Sequence, residues 1–215
     1  MRKLKVTTFL TLDGVMQGPG GPEEDTSGGF TQGGWSVGYW DDQMGEEMTE
    51  FMGRPFDLLI GRKTYEIFAG YWPQSKDPEA DVLNNARKHV ASRTLKSVEW
   101  KNSTLIKGDV AKYVTELKNS TGPEIQVHGS GDLIQTLLQN DLIDEFHLMT
   151  FPVVLGNGKR LFANGAIPAG LRATKVKSTS TGVVIATYER AGAIKQGSFA
   201  PEQPSEQERQ ETPAG

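Results

Sequence analysis

Leu59-Ile60-Gly61-Arg62-Lys63-Thr64-Tyr65 carries a short apolar run into a helical pattern across a single glycine. Residues 56–60 read as a buried strand and residues 62–69 as a helix. A glycine at such a junction lets a ligand approach the backbone closely. The helix start behind it presents unpaired N–H groups and the positive end of the helix dipole. Thr64 adds a hydroxyl, and Arg62 and Lys63 add charge. A second junction of this kind is Val127-His128-Gly129-Ser130-Gly131-Asp132-Leu133, shorter than the dinucleotide-binding glycine fingerprint. A third segment, Val90-Ala91-Ser92-Arg93-Thr94, runs a strand into a guanidinium flanked by hydroxyls, which suits a phosphomonoester. Taken singly, each has a plain structural reading: a helix start with solvated bases, a tight turn, a polar surface loop. Together, two helix starts for a pyrophosphate and a separate Ser-Arg-Thr fit a nucleotide with an extra phosphate, a description that suits NADPH.

Outward from these junctions, apolar segments alternate between strand and helix periods. Residues 4–10 form a first strand, and residues 14–38 a long Gly-rich loop of the kind that is functional or disordered. Residues 41–53 place Met44, Met48, Phe51 and Met52 on one helical face, with Asp41 or Asp42 as cap and Gly53 and Pro55 as stop. Helical turns at 81–87, 110–118 and beyond Gly131 alternate with strands at 88–92, 104–106 and 124–128. A long strand at 143–155 and two more near 171–178 and 183–188 close the pattern. The expected fold is an α/β sheet, mixed and mostly parallel, with an antiparallel C-terminal edge. Residues 1–190 make one domain. Residues 191–215 carry three Pro, four Gln and four Glu, with only Ile194 and Phe199 as sizeable apolar groups, and read as a disordered tail.

Composition narrows the function. A net charge of −4 argues against a nucleic-acid surface, and no apolar run approaches the roughly 20 residues needed to span a bilayer. The basic N-terminus lacks the apolar stretch of a signal peptide, so a cytoplasmic location is expected. With no cysteine, thiol chemistry is excluded, and His89, His128 and His147 lack metal-ligand spacing. No Walker-type Gly-Lys-Ser/Thr is present.

The chain resembles the dihydrofolate-reductase-like proteins over about residues 3–190. Within them it is similar to the reductase domain of the riboflavin-biosynthesis deaminase-reductase and its bacterial relatives. The resemblance rests on Thr11-Leu12-Asp13-Gly14, Gly61-Arg62-Lys63-Thr64-Tyr65-Glu66 and Ala91-Ser92-Arg93-Thr94-Leu95. His128-Gly129-Ser130-Gly131, Leu142-Ile143-Asp144-Glu145 and Pro152-Val153-Val154-Leu155-Gly156 follow in the family's order. It implies a three-layer fold and an NADPH-dependent reductase acting on a pterin-like or aminopyrimidine heterocycle. It implies that Gly61, Arg62, Lys63 and Thr64, with His128, Gly129, Ser130, Gly131, Asp132 and Leu133, hold the pyrophosphate. Ser92, Arg93 and Thr94 would hold the 2′-phosphate, and the loop through Gly14, Val15 and Met16 would cover the nicotinamide. Riboflavin-pathway reductases usually have Glu-Gly-Gly where this chain has His128-Gly129-Ser130, and a Lys near Thr7-Thr8-Phe9. Relatives pair through the C-terminal sheet, and a homodimer is expected.

A carboxylate in a closed pocket can orient a heterocycle or relay a proton. Asp13 and Asp41 are the two candidates, with turn and helix capping as their alternatives. Trp35, Tyr39 and Trp40, with Phe51 from the helix, are candidates to stack on the substrate, or else loop-core residues. The competing reading is a non-catalytic NADPH-binding or interaction protein that retains the fold.

Overall fold

The computed structural model describes residues 1–162 and 167–199. Eight strands form one sheet: β1 (Leu4–Thr11), β2 (Phe56–Gly61), β3 (Arg87–Ala91), β4 (Ser103–Ile106), β5 (Glu124–His128), β6 (Glu145–Phe151), β7 (Leu171–Ser178) and β8 (Val184–Arg190). Five helices interleave with them: α1 (Asp42–Met52), α2 (Arg62–Tyr71), α3 (Glu79–Asn85), α4 (Val110–Asn119) and α5 (Gly131–Gln139). The strand order is β4-β3-β2-β5-β1-β6-β8-β7, and only β8 runs against the rest.

Alternation along the strands sorts the core into two layers. Leu59, Ile125, Val127, Leu4 and Val6 meet Val114 of α4 and the Leu133–Leu138 face of α5. Leu58, Ile60 and Val90 point the other way, into Met52, Tyr65 and Leu83 from α1, α2 and α3. The sheet is therefore the middle of three layers. One face of its central strands is mostly apolar, whereas the other carries buried polar residues at Thr7, Gln126, His128 and His147.

Three expectations are adjusted. The long strand at 143–155 ends at Phe151, because Pro152 has no N–H to donate to the ladder. The 14–38 loop is internally bonded: the Gln17 side chain donates to the carbonyls of Asp25 and Ser27, and the Trp35 indole donates to the Gln17 carbonyl at 2.8 Å. Backbone pairing also runs past residue 190, since Ala191 N–H donates to Gly170 and Gly170 N–H to Gly192, each at 2.8 Å. The tail expectation for 200–215 lies outside the described residues. Among those described, no helix is long and apolar enough to cross a membrane.

Candidate active site

A cleft of about 1160 Å³ opens along the carboxyl ends of β2, β3 and β5, beside β1. Open α/β sheets bind ligands at this end, where the strand order reverses. All three junctions singled out in the sequence line it: Gly61 to Thr64, Ser92 to Thr94, and His128 to Leu133.

The first and last of these are stitched together by one side chain. Ser130 Oγ accepts from Gly61 N–H at 2.9 Å and donates to Thr64 Oγ1 at 2.7 Å. To do so, Ser130 adopts a left-handed conformation (φ 73°), following Gly129 at φ 63°. Such strain in a non-glycine residue persists only where its surroundings impose it, and it gathers at functional sites. A Cβ on Gly61 would lie in contact with Ser130 Cβ at 3.4 Å, so the two junctions pack directly against each other. The starts of α1 and α4 are closed by the carboxylates of Asp41 and Asp109. Those of α2 and α5 have no side-chain cap, and the residues of their first turns line the cleft. The cradle therefore has the donors and the space that a pyrophosphate requires.

Four cations line the cleft. Arg62 pairs with Glu66 at 3.0 Å, and Lys63 and Lys159 share Asp25 at 2.6 and 2.7 Å. Arg93 pairs with no acid among the described residues, and it stands between the hydroxyls of Ser92 and Thr94. Arg93 is exposed at the cleft, and a guanidinium there without a counter-ion is available to a monoester phosphate. His128 is no cation. It is buried, its Nε2 lies 2.9 Å from Gln126 Oε1, and it stacks against Phe56. Burial, reinforced by nearby His147, pushes its pKa down to about 4, so it forms a neutral floor beneath the phosphate loop.

Several expected site residues lie elsewhere. Asp13 is outside the cleft: it accepts from Thr11 Oγ1 at 2.6 Å and from the N–H groups of Gly156 and Leu155. Thr11 first, then those backbone groups, hold its pKa down to about 2, which makes it a staple between loops and a poor proton donor. Asp41 is also outside. Its backbone is extended (φ −137°), so it stands before the helix and does not share the Met44–Met48 face. Its carboxylate instead caps Met44 N–H at 2.9 Å and accepts from Ser180 at 2.7 Å. Val15 is fully buried, with a backbone bridge to Arg160, whereas Met16 lines the cleft against the start of α5. Trp40 lines the cleft, but Trp35 and Tyr39 pack edge-on against Phe151 behind it. Phe51 stacks on His147 at 4.5 Å under α1 and does not reach the cleft.

Two features escaped the sequence reading. The Thr7 hydroxyl, on β1 between His128 and His147, is buried at the cleft floor and has no partner among the described residues. Glu47 is buried on α1, with His147 at 3.1 Å, Lys175 at 3.0 Å and Lys177 at 2.5 Å. Its signal was available: Glu47 falls three residues after Met44 and four before Phe51, on the apolar stripe. Burial opposes its ionisation, yet Lys177, Lys175 and His147 outweigh that and hold its pKa down to about 2. A depressed folded-state pKa gives stability that is present above about 4.5 and lost as pH falls toward 2. Melting temperature is therefore expected to fall across that window, and Glu47→Gln should flatten this part of the decline. An unchanged slope in the variant would remove Glu47 from the account.

This fold and cleft belong to a defined class. The chain belongs to the RibD C-terminal domain family, which matches residues 2–185. It is 29% identical over 196 residues to the uncharacterized protein YyaP of Bacillus subtilis, covering 89% of this chain and 96% of that one. Among solved structures it is similar to a putative riboflavin biosynthesis protein from Shewanella (TM-score 0.68, 23% identity, 87% of this chain and 98% of that one). It is also similar to the Thermotoga maritima diaminohydroxyphosphoribosylaminopyrimidine deaminase/5-amino-6-(5-phosphoribosylamino)uracil reductase (TM-score 0.59, 12% identity). That match covers 88% of this chain and 57% of the Thermotoga protein. These likenesses place the chain in the dihydrofolate-reductase-like, RibD reductase-like fold.

Proposed function

We propose that the protein is an NADPH-dependent reductase of a small heterocycle, of the pterin or aminopyrimidine kind. The observation that carries this reading is the unpaired Arg93 between Ser92 and Thr94, in the same cleft as two uncapped helix starts. The backbone N–H groups at Arg62 to Thr64 and Gly131 to Leu133 would hold the pyrophosphate, and Arg93 the 2′-phosphate. NADPH, when bound, supplies a hydride. The chain's own part is to orient the ring pair and exclude water from it, with Met16, Phe9 and Trp40 as apolar walls. The Thr7 hydroxyl offers a donor or acceptor for a polar ring atom of the substrate.

The test is loss of the near-ultraviolet absorbance of reduced nicotinamide in the presence of a panel of pterins and aminopyrimidines. Turnover with any of them supports the enzyme. Asp13 and Asp41 lie away from the cleft, which favours a second reading, a non-catalytic NADPH-binding protein; tight cofactor binding without turnover would select it. Failure to bind NADPH would end both.

The protein is also proposed to be a homodimer through the β7 edge. Val176 there is 60% exposed, and Leu171 on the same strand and Val184 on β8 are exposed as well. Light scattering at micromolar concentration should give twice the chain mass; a monomer mass would refute the pairing.

A further inference from the structure

The cleft is longer than a phosphate cradle needs. Helix α2 begins at the cradle with Arg62 and runs to Tyr71, about 15 Å at 1.5 Å per residue. The cleft follows it the whole way, past Ile67 and Phe68 to Trp72. Met48 and Met52 of α1 and Leu83 of α3 complete this groove, and Phe9 and Trp40 stand at its inner end. The lining of this stretch is apolar along its length.

Charge is distributed unevenly along it. Lys63 and Lys159 are tied together through Asp25, and Arg62 and Arg93 lie at the ends of β2 and β3, so all four cleft cations sit at the cradle end. The far end is lined by Asp77, Pro78 and Glu79, at the turn that leads into α3. Asparagine 84 of α3 donates to the Trp72 carbonyl at 2.9 Å, which fixes this turn beside the end of α2. Asp77 is held ionised there: the Tyr71 hydroxyl first, then Ser75, push its pKa down. A phosphate or carboxylate on the distal end of a substrate would face two acids and no counter-ion from the cleft.

Building on the reductase reading, we propose that the groove between α1 and α2–α3 selects a heterocycle whose substituent is neutral or cationic. Phosphoribosyl and carboxylate-tailed substrates are disfavoured by Asp77 and Glu79. The riboflavin-pathway substrate named for the Thermotoga protein carries such a phosphate, so this chain would have departed from that chemistry while retaining the cofactor cradle. The selection is by repulsion at the far end as much as by attraction along the wall.

Three probes test this, differing only at the distal position: an aminopyrimidine bearing a benzyl group, its para-carboxy analogue and its para-aminomethyl analogue. Binding is read from the fluorescence of Trp40 and Trp72, with and without saturating NADPH. The neutral and cationic probes should bind at least about tenfold more tightly than the carboxylate, a gap of about 1.4 kcal/mol. Asp77→Lys combined with Glu79→Lys should close or invert the gap and leave NADPH affinity unchanged. Equal or tighter binding of the carboxylate overturns the proposal. So does a gap that the charge reversal does not move, or the absence of binding by all three. NADPH affinity, titrated separately, reports on the cofactor reading alone. A loss there with the probe order intact would sink the reductase and spare the groove.

Discussion

Arg93→Ala is expected to weaken NADPH binding by about tenfold to a hundredfold while NADH binding barely changes. The two cofactors differ only by the 2′-phosphate, so discrimination must arise from groups that meet it. A charge-assisted hydrogen bond contributes roughly 1.5–3 kcal/mol, and each 1.4 kcal/mol or so is a decade in affinity. Arg93 gives up no existing ion pair among the described residues on binding, so the gain is offset by the ordering of its exposed side chain and not by a broken pair. Lys63 and Lys159 differ in this respect, because a phosphate must compete with Asp25 for them. Added salt should therefore reduce NADPH affinity more steeply than NADH affinity, and Arg93→Ala should remove most of that difference. Gly129→Val provides the contrast. Its backbone is left-handed (φ 63°) beside Thr64, so a branched side chain strains the loop and fills the cradle that both cofactors need. Both affinities should fall together. Four titrations decide the matter, and equal losses of the two cofactors in Arg93→Ala would force the Ser92–Thr94 assignment to be abandoned.

The difference between what was legible and what was not follows from how local each signal is. The cradle could be read because its parts are consecutive: a strand, a glycine, and a helix start that needs no distant residue to expose its N–H groups. The mostly parallel sheet with a reversed strand near its C-terminal edge was legible in the same way, from alternating periods. For Asp13 and Asp41 the local capping alternative holds, through Thr11 and Met44 N–H, while the partners that complete each site are remote in sequence. Gly156 lies 143 positions from Asp13, and Ser180 lies 139 from Asp41. The local caps were legible as alternatives, but nothing near either aspartate announces these distant partners, which hold it away from the cleft. The groove was illegible for a related reason. Phe68, Trp72 and Leu83 read as ordinary helix faces until α1 and α3 are set against α2. Trp35 and Tyr39 show the opposite error, since aromatic residues near an expected site are drawn into it on paper while Phe151 holds them behind it.

The largest expected effect on stability lies at the opposite end of the sheet, where sequence reading saw only a basic N-terminus and one acid inside an apolar run. Arg2 and Asp57 form a 2.6 Å ion pair whose side chains are 3% and 5% exposed. Arg2 also donates from Nε to the Pro123 carbonyl, and His89 Nε2 lies 3.5 Å from the same Asp57 oxygen. Three segments, the approach to β1, the start of β2 and the middle of β3, thus converge on one carboxylate. Removing one partner of a buried pair leaves the other charged and unsolvated, which costs about 3–5 kcal/mol. Asp57→Ala should lower the unfolding free energy by that amount in urea, as a shift of midpoint at constant slope. Arg2→Met with Asp57→Leu should recover much of the loss, because neither charge is then stranded. Asp57 stands four residues before Gly61, at the amino end of its strand and away from the cleft, so the folded variants should bind NADPH as the parent does. A loss under about 1 kcal/mol in Asp57→Ala would mean that water reaches Arg2 once the carboxylate is gone. A loss of cofactor affinity without a loss of stability would show instead that the pair positions the cradle through β2, and that the two ends of the sheet are coupled.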